Sequence, residues 1–243
     1  MLGSGLTRRY LLYAIGEIAL VVIGILIALQ IDHWNEEIQS SSIEQELLRG
    51  IQEEILVNKS QMEVVIGHHE HSYGCNKQLL EYYHQQDYAE HSETIDSLAN
   101  CLISYWTFGP RLGFIKSLIS SGSLRHIKND RLLTLLSQFE DQVADANEAQ
   151  NWIIDNWQNS LGPIVKSYIP TTTRQGIVNS EYRSTLPLSA FDADYGGFFQ
   201  DRLGESLIAQ ISGWQANAVE EEKEVLATID EILTILKTSI EPQ

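Results

Sequence analysis

The densest run of chemically able side chains is His68-His69-Glu70-His71, followed by Cys75. On a helix, His68, His71 and Cys75 fall at i, i+3 and i+7 and so line one face. Imidazole and thiolate suit Zn²⁺, which makes these three a candidate metal set, with Glu70 beside them and His84 and His91 downstream. A metalloprotease helix needs His-Glu-x-x-His, and His69-Glu70-His71 breaks that spacing. Spacing names no fourth ligand for a structural zinc. The ordinary reading of such histidines is a solvated helix face, so metal binding or hydrolysis through His68, His71 and Cys75 stands as a secondary alternative.

Cys75 and Cys101 are the only cysteines. In an oxidising compartment they can pair. A bridge across a separation of 26 residues is worth about 3 kcal/mol in the chain-entropy model. The alternative is two free thiols buried on helix faces. Asp192-Ala193-Asp194 opens like a calcium loop and Gly197 falls at the sixth position, but the twelfth is Leu203, where a bidentate Glu is required.

A further chemical position is Glu17, because of where it lies. Tyr10 to Ile31 runs 22 residues between Arg9 and Asp32, and Glu17 is its only charge. At ~1.5 Å per residue that is about 33 Å, enough to span a hydrocarbon core of about 30 Å. The spacing predicts a transmembrane helix at 10–31. A cleaved signal peptide would have a shorter apolar region and a small-x-small site, which Ala28-Leu29-Gln30 does not supply. Arg8 and Arg9 precede the span, whereas Asp32, Glu36, Glu37, Glu44 and Glu46 follow it before Arg49. Basic residues stay on the cytoplasmic side, so residues 1–9 are expected there and residues 32–243 are expected to be exported. Tyr10 and Tyr13 at one edge and Trp34 at the other suit interfacial belts. Gly16, Leu20, Gly24 and Ala28 share a face, with Glu17 almost on it. Gly24 and Ala28 form a small-xxx-small pair that permits close helix approach. An acid at membrane depth faces protein or water. Self-association through this face is preferred; the alternative is a subunit of an ion-coupled membrane complex that uses Glu17.

The run GEIALVVIGILIALQIDHWNEE, Gly16 to Glu37, resembles the signature of a bacterial family of single-span proteins of uncharacterised function, chiefly from Bacteroidota. Gly16, Glu17, Gly24, Gln30, Trp34 and Asn35 match that pattern, and Asp32 stands where Asn is more usual. SSGSLRHIKNDRLLTLLSQFED, Ser120 to Asp141, also resembles the soluble part of that family. The resemblance implies a membrane anchor and a helical domain; with the charge asymmetry, the anchor is expected in a bacterial inner membrane and the domain in the periplasm. It implies no activity, cofactor or catalytic residue.

The elements that must position these side chains are helical. Among 243 residues there are 5 prolines, and long 3.6-period stripes indicate an all-α chain: an anchor continuing into an up-and-down helical bundle. A net charge of −17 argues against nucleic acid and anionic membrane surfaces, both of which need a basic patch. The expected partners are membrane lipid, further copies of the chain, and a membrane or periplasmic protein.

A helix is expected from Trp34 to about Gln86, with Ile43, Leu47, Ile51, Ile55, Met62, Val65, Ile66 and His69 as its stripe. Asn58 interrupts that stripe, Ser40 to Ser42 could form a hinge, and Gly74 a break. A second helix is expected from Ser92 to near Trp106, and a third from Pro110 to a left-handed cap at Gly122. Asn129 or Asp130 caps a long fourth. Pro163 to Gln200 reads as an irregular loop whose aromatics, Phe191, Tyr195, Phe198 and Phe199, dock on the bundle. Asp201 to Ile240 gives a return helix with a near-heptad stripe and a solvated acidic stretch, Glu220 to Glu224.

Overall fold

A single unbroken helix carries the molecule. In the computed structural model, residues 4–84, 88–171 and 189–240 are described. Of these, the side chains of residues 4–16, 18, 19, 21 and 89 lie outside the description. Helix α1 spans Ser4–Tyr82. It passes straight through Ser40–Ser42, Gly67 and Gly74, so neither the expected hinge nor the expected break occurs. The flanking apolar stripe explains this: Ile51, Ile55, Met62, Val65 and Leu79 are fully buried, and that burial outweighs the weak propensity of an isolated glycine.

Helices α2 (Ser92–Asn100), α3 (Gly113–Ser121) and α4 (Asp130–Asn156) follow. A π-helical turn at Trp157–Leu161 then leads into α5 (Gly162–Tyr168). The short α6 (Tyr195–Phe198) precedes the return helix α7 (Arg202–Ser239). Among the described residues there is no strand, and the chain is all-α.

Helix α7 lies antiparallel to α1. Lys59 meets Asp230 at 2.7 Å, His69 meets Glu222 at 2.6 Å and Asn76 meets Gln215 at 2.6 Å, so the partner number falls as the α1 number rises. Helix α4 packs beside α7, tied by a bidentate pair from Arg131 to Glu231 at 2.7 and 2.9 Å. That hydrogen bonding holds the Glu231 carboxyl below its ordinary range.

Several expected boundaries move. The second helix stops at Asn100 rather than near Trp106, and α3 begins at Gly113 rather than at Pro110. The cap of α3 comes from another helix. Glu54 of α1 accepts from the Phe114 and Ile115 amides at 2.9 and 3.0 Å, satisfying donors that local sequence leaves open. Gly122 adopts the left-handed cap at φ 70°, and Asn129 caps α4 by accepting from the Leu132 amide. Asp194 is an N-cap too, accepting from the Gly197 amide at 2.7 Å rather than opening a calcium loop. Residues 172–188 lie outside the described residues; around them the expected loop is partly helical, in α5 and α6. Phe198 and Phe199 are buried against Tyr82, Tyr83 and Tyr88, whereas Phe191 is 76% exposed.

The core divides in two. One apolar cluster gathers Leu48 to Ile66 with Leu132 to Ala146 and Val225 to Leu236. The other gathers Cys75 and Leu79 with Ile95 to Leu102, Ala149 to Ile169 and Ile208 to Ala218. Between them lies a buried polar layer that includes His69, Ser72, Asn76, Gln150, Gln215 and Glu222. Glu222 is therefore a core residue, not part of a solvated stretch.

Residues 22–39 of α1 are exposed on every side. Val22, Ile23, Ile25, Leu26, Ile27, Leu29 and Ile31 each stand 47–57% exposed. Among the described residues, no helix is long and apolar enough to cross a membrane. Tyr10, Tyr13 and Gly16 fall outside the described side chains.

Candidate functional site

Between α2 and α3 the backbone from Cys101 to Leu112 is not helical, so its amides and carbonyls need partners from elsewhere. They find them in the polar layer. Leu102 O accepts from Asn76 Nδ2 at 2.7 Å and from Gln215 Nε2 at 3.0 Å. Ser104 O accepts from Gln150 Nε2 at 2.8 Å, Trp106 O from His69 Nε2 at 2.7 Å and Phe108 O from Asn147 Nδ2 at 3.0 Å. These are alternate carbonyls, as an extended segment with one face inward requires. At the ends, Ser72 donates to Cys101 O at 2.8 Å, and the Asn58 amide holds both the N–H and the C=O of Arg111, at 2.7 and 2.8 Å. Buried side chains of α1, α4 and α7 thus grip this segment by its backbone.

His69 sits at the centre of the grip. Trp106 O can only accept, so Nε2 carries a proton; Nδ1 then faces Glu222 Oε1 at 2.6 Å with one proton between them. Both side chains are almost fully buried, 3% and 4% exposed. The other oxygen of Glu222 has no hydrogen-bond partner. The pair is therefore consumed by holding the segment and presents nothing to solvent.

The outer side of the segment is different. Tyr105 and Trp106 stand 57% and 52% exposed. The Trp106 indole stacks on the His68 ring, with centroids 4.5 Å apart and planes 7° from parallel. Below them, Cys75 and Cys101 are bonded, with Cα atoms 5.9 Å apart, which fastens the end of α2 to α1. These groups, with Trp157 and Lys166, border a surface cleft of about 1020 Å³.

The expected metal set is distributed across this site rather than gathered. His68 is engaged with Trp106, and Cys75, being bonded, offers no thiolate. His71 alone of the histidines reaches the sulfurs, with Nε2 3.8 Å from Cys75 Sγ. Glu70 pairs with Lys223 on the bundle surface. His84 is exposed in the turn after α1, and His91 tilts against Tyr82 at 5.6 Å. At the other end of α1, Glu17, Gly24 and Ala28 are exposed, no atom lies within 4 Å of a Cβ built on Gly24, and Trp34 is 66% exposed.

Sequence reasoning missed the residues that make the site: Asn58, His69, Asn76, Gln150, Gln215 and Glu222. A signal was present, because each is a polar side chain at an interior position of an apolar helical stripe. Asn58 showed it as an interruption and His69 as a stripe member. Which backbone they serve has no local signature. No family model, no curated protein and no solved structure matches this chain, so the functional reading rests on the geometry of the cleft and the aromatic edge above it.

Proposed function

We propose that this protein is a membrane-anchored, non-enzymatic helical ectodomain that binds a protein partner, with the Tyr105–Trp106 edge as its contact surface. The observation that carries the reading is the way this segment is held. Six buried polar side chains (Asn58, His69, Ser72, Asn76, Gln150 and Gln215), the half-buried Asn147 and a disulfide hold a non-helical stretch on which Tyr105 and Trp106 stand exposed. Aromatic anchors held rigidly before binding cost little conformational entropy on association, and aromatics are enriched where binding energy concentrates. In the core, the His69–Glu222 pair is spent on structure, and among the described residues no carboxylate lines the cleft.

The anchor reading is supported by the all-round exposure of the apolar side chains from Val22 to Ile31, since a helix apolar on every side needs lipid or protein around it. It places the N-terminus in the cytoplasm and the bundle in the periplasm, with self-association through the face bearing Glu17, Gly24 and Ala28. The full chain should stay in the membrane pellet after an alkaline carbonate wash; recovery in the supernatant would sink the anchor. Photo-crosslinking residues placed at 105 and 106 in native membranes should give discrete adducts that Thr134, an outward position on α4, does not. Equal labelling from all positions would remove the partner surface.

A further inference from the structure

We infer that Cys75, Cys101 and His71 form a redox-gated site for a thiophilic divalent cation of the Zn²⁺ class, closed while the cysteines are bonded and opened by their reduction. The sulfurs and His71 Nε2 all lie within 4.8 Å of one another, and this is the one such grouping among the described residues. A tetrahedral ion with Zn–S near 2.3 Å and Zn–N near 2.0–2.1 Å needs ligand atoms about 3.5–3.8 Å apart. His71 Nε2 already stands 3.8 Å from Cys75 Sγ, so that edge of the tetrahedron is in place. The cysteines rest on Cα atoms 5.9 Å apart, close enough for both thiolates to reach one ion by side-chain rotation. His71 is exposed and i, i+4 from Cys75 on an unbroken helix, so its ring needs no backbone movement to turn inward. The adjoining cleft supplies the entry path and leaves the fourth position for water.

The gate is a thiol–disulfide exchange. A dithiol donor is oxidised to its own disulfide; the Cys75–Cys101 bond breaks and both sulfurs take up the donor's protons. A divalent cation then displaces those two thiol protons to water and accepts the His71 Nε2 lone pair, with the ring proton on Nδ1. In the reduced thiol state without metal, Cys101 also has acceptors at hand, since Ser97 O and Leu98 O lie 3.3 and 3.4 Å from its sulfur. The site differs from the His68, His71, Cys75 set in sequence register: Cys101 replaces His68, which is stacked on Trp106. It shares the Cys75–Cys101 bond with the partner-binding reading, but its ligands are not the exposed aromatic rings, so cobalt binding and partner contact are read separately.

Cobalt(II) reports the ligand set directly. The full chain in detergent is reduced with a water-soluble phosphine, which takes oxygen from water as it is oxidised, then desalted without air and titrated with Co²⁺. The expected result is one ion per chain with thiolate-to-cobalt charge-transfer absorbance, reversed by excess Zn²⁺, and no such absorbance from the oxidised chain. H71Q, which keeps the disulfide and changes an exposed side chain, should weaken binding by at least about tenfold, since even indirect loss of ligand support costs 10–100-fold. H68Q should leave the affinity unchanged. Absence of charge transfer in the reduced chain overturns the proposal. So does an H71Q affinity equal to that of the unaltered chain, which would show thiolates binding without the imidazole.

Discussion

At the scale of single residues, the polar layer makes unequal demands on its members. Removing one side of the His69–Glu222 pair leaves the other buried without compensation. E222L should therefore cost about 3–5 kcal/mol in urea unfolding, whereas E222Q, whose amide can donate to Nδ1 of a neutral His69, should cost about 1 kcal/mol. Equal losses for the two variants would mean that the pair is not what holds Trp106 O. Glu221, the neighbouring residue, has the opposite problem. Burial, and then the carboxylates of Asp145, Glu224, Glu148 and Glu222, push its carboxyl above the ordinary range. A raised carboxyl means that the folded state binds the proton more tightly. Stability therefore rises as pH falls through that raised value and is complete below the usual 4.5. E221Q should stabilise the chain at pH 7 by about 0.5 kcal/mol or less, with the gain gone under acid conditions. Thermal melts at both pH values would show it, and a gain that persists in acid would refute the electrostatic account. The sequence showed Glu220 to Glu224 as charge alone. It could not separate Glu222 from its neighbours, because burial of one acid in that run depends on which face α4 and α1 cover.

Among elements, α1 and α7 were the legible parts. Periodicity placed the end of α1 and both ends of α7 within a few residues, while the hinge and break expected inside α1 do not occur; Asn129 and Gly122 marked helix ends by local chemistry that structure and sequence share. The segment from Cys101 to Leu112 was illegible for a matching reason: its hydrogen bonds come from residues up to 113 positions away. Ile95, Leu98 and Leu102 keep a helical period, so pattern alone carries the helix too far. The glycines of the long helices give a clean test of propensity against packing. Nothing lies within 4 Å of a Cβ built on Gly67 or Gly213, so G67A and G213A should each stabilise by about 0.5–1 kcal/mol. Gly162 is the counter-example, since a Cβ there would lie 2.6 Å from the Trp157 carbonyl of the π-helical turn. G162A should destabilise by about 1–3 kcal/mol, and a neutral result would mean that the turn relaxes freely.

For the molecule as a whole, the two apolar clusters and the layer between them set how it comes apart. The disulfide lies on the side of the layer farther from the apolar N-terminal run, and it joins α2 to α1 there. Replacing Cys75 and Cys101 by serine should remove about 3 kcal/mol of constraint, most of it from that cluster. Amide exchange should then speed up in α2 and α5 while the half built on Leu48 to Ile66 changes little; uniform acceleration would show a single cooperative unit instead. The layer also fixes the pairing of α1 with α7, because sliding α7 by a turn would leave Gln215 and Glu222 facing apolar side chains.

The length of α1 turns this arrangement into a measure of distance. From Ile31 to Cys75 the helix runs without interruption. At ~1.5 Å per residue the cleft therefore stands about 66 Å beyond the end of the apolar run. A structure meeting Trp106 must reach to that height. Under the anchor we propose, the length of this helix sets the separation between the surface that holds the apolar run and anything that binds at Trp106.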